Sequence, residues 1–450
     1  MNWIWSCGDS ECFAMPDATL SYADFAVLVA GWRHRLDAAG RRAGEVVALR
    51  ADQSADACAA LLAILLGGAI AAPFSANAAP ALAESMLETA QATMLVDVPA
   101  APDRQITTRT ARPHPHPLID RLRRQQAAGL ILFSSGSTGR TKASLLNFDL
   151  LLARFDSASS PPRRTVIFLL LDHIGGVNTF LHAICTGSTL VMPRDRTPEA
   201  VCEAVEQHHA QLLPTSPTFL NLLLMSDAYR DRDLRSLELI TYGTEPMPAT
   251  TLSALGEAFP AVRLKQTYGL SELGILPTRS RSSDSLWMEL GKQGVEHKIV
   301  DGVLWIRSPW AMLGYLNAPD PFDAEGWFNT QDMVEVDGDY LIVRGRVSEI
   351  INVGGQKVYP AEVENVILEA GNVRDVTVSG RPSPIVGQVV VARLTPSTDE
   401  DPERLRERLR RHCRDRLEDF KTPVAFEIVD GAHHSDRFKK ARTLAADPAL

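Results

Sequence analysis

A chain of 450 residues that is 45% apolar can bury more than one core, so two or three domains or subdomains are expected and a disordered or fibrous chain is excluded. Its formal net charge of -9 and pI near 5.7 leave no basic excess for neutralising phosphates, which argues against a nucleic-acid partner. The six cysteines are scattered, and no second Cys or His pair completes the spacing begun by Cys7 and Cys12, so reduced thiols are the simpler reading. The first residues lack a basic segment, an apolar stretch and a small-residue cleavage site; export is not supported and a cytoplasmic protein is expected.

From residue 22 to 98, helical stretches such as 25–39 alternate with short apolar strands such as 45–49, the pattern of parallel β/α layers. Residues 57–74 are apolar enough to raise a membrane span, but Gly67, Gly68 and Pro73 interrupt them, and a core helix followed by a buried strand fits better. Residues 99–117 read as a loop, and 129–133 as a strand entering a Ser/Gly/Thr-rich turn. A second β/α unit follows, with strands at 165–169 and 189–192 and helices around 180–185 and 198–209. After about Ser282 the texture changes to short strands and turns, including an Asp337-Gly338 hairpin signal. A boundary near Gly345-Arg346 precedes a compact C-terminal piece of about one hundred residues.

The strongest local signal is Ser134-Ser135-Gly136-Ser137-Thr138-Gly139-Arg140-Thr141-Lys142, directly after a strand. Small residues let main-chain N–H groups and hydroxyls surround phosphate oxygens, and Lys142 adds charge. A Walker loop would need Gly-Lys followed by Ser or Thr, whereas Thr141-Lys142-Ala143 stands here, so ordinary P-loop chemistry fits poorly. Alone, the stretch could equally be a solvated turn.

The stretch resembles the phosphate loop of the adenylate-forming superfamily, which includes acyl-CoA synthetases, luciferases and nonribosomal peptide adenylation domains, with Ala143 where its usual form ends in Gly. Further motifs of that family follow in order. Tyr242-Gly243-Thr244-Glu245-Pro246 resembles the adenine-contacting segment. Tyr268-Gly269-Leu270-Ser271-Glu272 resembles a motif that sets an aromatic ring by the adenine, a hydroxyl at the phosphate and a carboxylate on Mg²⁺. Trp327-Phe328-Asn329-Thr330-Gln331-Asp332 is similar to the segment whose Asp binds the ribose hydroxyls, with Gln331 in place of Gly. The run from Gly345 to Glu362 resembles the hinge and first C-terminal segment, with Arg346 toward ribose or phosphate and Ser348 at the pivot. Arg437-Phe438-Lys439-Lys440-Ala441-Arg442 resembles the segment carrying the adenylation lysine; register favours Lys439, with Lys440 the alternative.

The resemblance implies an α/β fold: a large N-terminal domain over 1–345, made of two β/α-layered subdomains and a small β-barrel-like subdomain, then a small mobile α+β domain over 346–450. It implies an acid–thiol ligase using ATP, Mg²⁺ held through Glu272, and CoA, or the phosphopantetheine of a separate acyl carrier protein. A non-catalytic nucleotide- or acyl-binding relative is the alternative from another class. Leu171-Asp172-His173-Ile174-Gly175-Gly176 aligns with the acyl-pocket segment; His173 stands where amino-acid-activating relatives carry Asp, so an acid without an α-amino group is expected. His173 could equally be a hydrogen-bonded core histidine. Asn178 joins the expected pocket, and Gly175, Gly176, Gly243 and Gly269 are expected to leave room for an aryl or medium acyl chain. Gly354 and Gly355 either admit a pantetheine arm or form an ordinary turn.

Overall fold

The computed structural model describes residues 7–98, 105–109, 116–135, 141–155, 160–291, 293–429 and 440. Two largely parallel sheets form the N-terminal half. In the first, the parallel strands Gly129–Ser135, Ile70–Phe74, Val46–Ala51 and Met94–Val98 lie side by side, with Thr141–Asn147 added antiparallel to Gly129–Ser135. In the second, Arg263–Leu270, Leu239–Gly243, Leu212–Thr215, Arg164–Val166, Thr189–Val191 and Glu11–Met15 run parallel. Both faces of such sheets are covered, so their strands read as continuous apolar runs.

The apolar stretch at 57–74 resolves as expected. Ser54 caps the helix Ala55–Leu66 through the N–H of Ala57, Gly68 leaves it at φ +72, and the buried strand Ile70–Phe74 follows. No helix among the described residues is long and apolar enough to cross a membrane. The expected loop at 99–117 contains the edge strand Gln105–Thr108, and its residues 99–104 and 110–115 lie outside the described residues.

Six antiparallel strands form the third sheet, from Thr278–Ser280 at one edge to Glu296–Val300 at the other. These two edges do not pair with each other, so the unit is an open sheet where a barrel-like one was expected. The outer strand Glu296–Val300 is largely exposed and carries Glu296, His297 and Lys298, polar cover for an unpaired edge. Asp332 pairs with Arg346 in the last hairpin, so Arg346 stays on a strand of this sheet, and the link to the next unit is the short turn Val347–Glu349.

The C-terminal unit is an α+β layer. Strands Ile351–Val353, Gln356–Val358, Val373–Ser383, Gly387–Pro396 and Ala425–Ile428 carry helices Pro360–Glu369 and Pro402–Arg414 over a core that includes Val358, Val376, Ala392, Leu405 and Leu409. Helix Pro360–Glu369 packs against helix Ala249–Ala258, which brings this unit against the second parallel sheet.

Candidate active site

Ser134 and Ser135 close the strand Gly129–Ser135, and Lys142 opens the strand Thr141–Asn147. The two are antiparallel, with Ser134 opposite Lys142 and Ser135 opposite Thr141. The phosphate-loop candidate is thus flanked by two antiparallel strands, and its residues Gly136, Ser137, Thr138, Gly139 and Arg140 lie outside the described residues. Asn317 clips the hairpin's second strand: its Oδ1 accepts the N–H of Ala143 at 3.0 Å and its Nδ2 donates to the Thr141 carbonyl at 2.8 Å. Ala143 is fully buried in the apolar core. The Lys142 ammonium lies 5.1 Å from the centroid of the Tyr315 ring, within cation–π range.

Tyr315 links this cation to the carboxylate expected to face a metal. Its phenol donates to Glu272 Oε1 at 2.7 Å, and the main-chain oxygen of Glu272 accepts the N–H of Met312 at 2.7 Å. Burial, and then the Glu272 charge, push the Tyr315 phenol well above its ordinary pKa, so it remains a donor. Glu272 sits in the tight turn between Arg263–Leu270 and Gly274–Leu276, next to Ser271, whose hydroxyl has no partner among the described residues.

Beside it, Tyr268 donates from its phenol to Asp332 Oδ2 at 2.5 Å, and Arg346 donates from Nε to Asp332 Oδ1 at 3.1 Å. Asp332 is 5% exposed, and burial raises its pKa against the opposing influence of Arg346 and the Tyr268 hydrogen bond. Burial works against the Arg346 charge, yet the carboxylates of Asp332 and Glu272 help keep its pKa above the ordinary value. Gln331 holds φ +63, the left-handed backbone that the glycine of the usual motif would adopt freely. Residues 142, 315 and 272 thus form one run of contacts and residues 268, 332 and 346 another, with the Glu272 carboxylate acting electrostatically on Arg346.

Several pocket candidates have a packing duty. A Cβ at Gly176 would lie 2.1 Å from the Leu170 carbonyl oxygen, one at Gly243 2.4 Å from the Thr267 carbonyl oxygen, and one at Gly269 2.7 Å from that of Gly274. In the Cβ direction of these glycines the space is taken by neighbouring main chain. Gly175 is less confined, its nearest neighbour being His173 Nδ1 at 3.2 Å, and its N–H donates to that nitrogen at 3.1 Å. His173 is accordingly the N-cap of helix Ile174–Cys185, a structural duty that leaves Nε2 to carry the proton of the neutral ring. Asn178, a turn further on, keeps a buried Oδ1 without a partner among the described residues.

Glu245 turns away from the adenine segment: Oε1 accepts the N–H of Thr218 at 2.9 Å, at the start of helix Pro217–Ser226, and Oε2 accepts the N–H of Lys440 at 3.3 Å. Thr244 carries the strain of this turn at φ +72, rare for a β-branched residue. Gly354 and Gly355 take φ +59 and +87 at the tip of a two-residue hairpin, with nothing within 4 Å of a Cβ placed on either, so turn geometry alone accounts for both glycines. Ser348 is exposed in the linking turn, and Lys439 lies outside the described residues. Sequence reading missed Tyr315, Asn317 and Arg154. Arg154 donates to the Ile275 carbonyl and stacks 5.2 Å from the Trp310 ring, and burial pushes its pKa down to about 10. Only Tyr315 had a local signal, Gly314-Tyr315, where the glycine at φ +143 allows the turn into the site.

The AMP-binding enzyme family matches residues 6–316, and the AMP-binding enzyme C-terminal domain matches residues 362–439. The chain belongs to the AMP-binding enzyme family. This AMP-binding enzyme is 29% identical to 4-coumarate--CoA ligase-like 6 of Oryza sativa subsp. japonica, over 60% of this chain and 53% of that protein. It is 30% identical to a 3-[(3aS,4S,7aS)-7a-methyl-1,5-dioxo-octahydro-1H-inden-4-yl]propanoyl:CoA ligase of Mycobacterium tuberculosis, over 67% of this chain and 62% of that one. The AMP-binding enzyme thus spans between about half and two thirds of the length of the curated relatives it matches. Among solved structures, an amide bond synthetase from Marinactinospora thermotolerans superposes with a TM-score of 0.77 at 25% identity, covering 97% of this chain and 96% of that one.

Proposed function

We propose that this AMP-binding enzyme activates a carboxylic acid without an α-amino group as an acyl-AMP and passes the acyl group to the thiol of CoA. The observation that carries this reading is the pair of triads Lys142–Tyr315–Glu272 and Tyr268–Asp332–Arg346, related through the influence of Glu272 on Arg346, which offer groups for phosphate, metal and ribose. The names of the coumarate-ligase-like and propanoyl:CoA ligase relatives support CoA as acceptor and a ring-bearing acid as substrate.

The chain's own residues account for the work required. The acid's carboxylate attacks the α-phosphorus and pyrophosphate leaves, so like charges must be brought together and held. Ionised Asp332 accepts the ribose hydroxyls, and Tyr268 and Arg346 fix its two oxygens. Lys142, placed by the Asn317 clip, faces the departing phosphates together with the Ser134 and Ser135 end of its hairpin, and the Ser271 hydroxyl is free to donate to them. Glu272, steadied by Tyr315, leaves its second oxygen for a magnesium ion. Such an ion supplies neutralisation of the triphosphate. Lys439 would bridge the carboxylate and the α-phosphate. Rotation about Ser348 would then clear it, so that Gly354 and Gly355 could admit the thiol's narrow arm.

Pyrophosphate release is measured with ATP, Mg²⁺ and a panel of aryl, short, medium and long acids, each with and without CoA. Acid-dependent release that yields acyl-CoA is expected. Acyl-AMP that stalls with CoA present moves the acceptor to a separate carrier protein, and ATP binding without release under any condition overturns the enzyme reading.

A further inference from the structure

The end of the chain carries two adjacent lysines, and one of them is already committed. The Lys440 ammonium lies 3.4 Å from Glu364 Oε2 and 3.9 Å from Asp375 Oδ1, and it donates to the Val376 carbonyl at 3.0 Å. The side chains of Lys440 and Glu364 are 13% and 3% exposed. Glu364 Oε1 accepts the N–H of Val378 at 3.0 Å, and Asp375 Oδ1 accepts the N–H of Val376 at 2.8 Å. Lys440 therefore helps neutralise two carboxylates that the C-terminal unit has taken from water.

The main chain of the same residue reaches the other unit. The N–H of Lys440 donates to Glu245 Oε2 at 3.3 Å, while Glu245 Oε1 is held by the N–H of Thr218. One turn along that helix, Asn221 Nδ2 donates to the Arg374 carbonyl at 3.2 Å. A cavity of about 30 Å³, enough for water, is enclosed between Thr218, Glu245, Met247, Glu364 and Lys440. The seam thus joins the adenine-segment turn to the C-terminal unit through one carboxylate.

We propose that Lys440 is a positioning residue for acyl-AMP formation. Its ammonium anchors residue 440 to Glu364 and Asp375, and the N–H held by that anchor docks on Glu245. Lys440 is then not the lysine that meets the substrate, which leaves Lys439 for that role. The anchor lies wholly within the C-terminal unit and survives its rotation, whereas the Glu245 contact is made only when this seam is closed. This inference rests on the adenylation reading above.

The test uses the full chain with Lys440→Met, Lys440→Arg, and Lys440→Met combined with Glu364→Gln; the last removes the more deeply buried of the two carboxylates, so that a folding failure does not decide the matter. Amide hydrogen exchange without substrates is expected to rise at least tenfold at Thr218 and in the terminal peptide of both Met variants. Pyrophosphate release should fall at least tenfold, transfer of the acyl group from supplied acyl-AMP to CoA should stay within twofold, and Lys440→Arg should restore exchange and release together. Unchanged exchange, or an equal fall in both half-reactions, overturns the proposal. Wild-type protein that releases no pyrophosphate yet shows the exchange response rejects the adenylation reading and retains the anchor.

Discussion

At the residue scale, Asp332 sets an acid limit on nucleotide binding under the proposed function. It must be ionised to accept ribose hydroxyls, and burial has raised its pKa, so ATP affinity should fall on acidification at a higher pH than an ordinary carboxylate would allow. Arg346 opposes that rise; Arg346→Gln should move the acid limb of KM for ATP to still higher pH, and an unmoved limb would contradict the pairing. The stability consequence has the opposite sense. A carboxyl with a raised folded pKa favours the folded state most below its unfolded pKa, and that contribution is lost as pH rises through the folded value. Tyr315→Phe removes the hydrogen bond that orients Glu272, and the apparent Mg²⁺ affinity should weaken by about tenfold, as for other supports of metal ligands, measured as the Mg²⁺ dependence of pyrophosphate release. Gln331 sits at φ +63, so Gln331→Gly should stabilise the protein by about 0.5–1 kcal/mol, read as a higher denaturation midpoint.

At the element scale, glycines that look alike in sequence do different work. Gly176→Ala would drive a methyl group into the Leu170 carbonyl and should cost about 1–3 kcal/mol, lowering the thermal midpoint without changing which acid is preferred. A shifted acid preference at unchanged stability would return Gly176 to the pocket. The parallel layers were legible because buried strands and amphipathic helices leave different periodicities, as at Ile70–Phe74 and Ala55–Leu66. The phosphate-loop candidate, Asp332 and Glu272 could be singled out in the sequence because their motifs are local. Tyr315 and Asn317 were not, since each acts on residues 43 and more than 170 positions away through pairings that only the folded chain makes. The packing duty of Gly176, Gly243 and Gly269 was invisible for the same reason, since it depends on which backbone lies opposite.

At the scale of the whole molecule, one site is assembled from two parallel sheets, an open antiparallel sheet and, across a seam at Glu245, a C-terminal unit. The linking turn Val347–Glu349 follows directly on Arg346, which donates to the buried Asp332 carboxylate. Attack of the acid on the α-phosphorus is traced by supplying the acid with both carboxylate oxygens labelled as ¹⁸O, together with ATP, Mg²⁺ and CoA, and weighing the products. Acyl-AMP chemistry leaves one label in AMP and one in the thioester; label in inorganic phosphate, with ADP formed, would contradict the account.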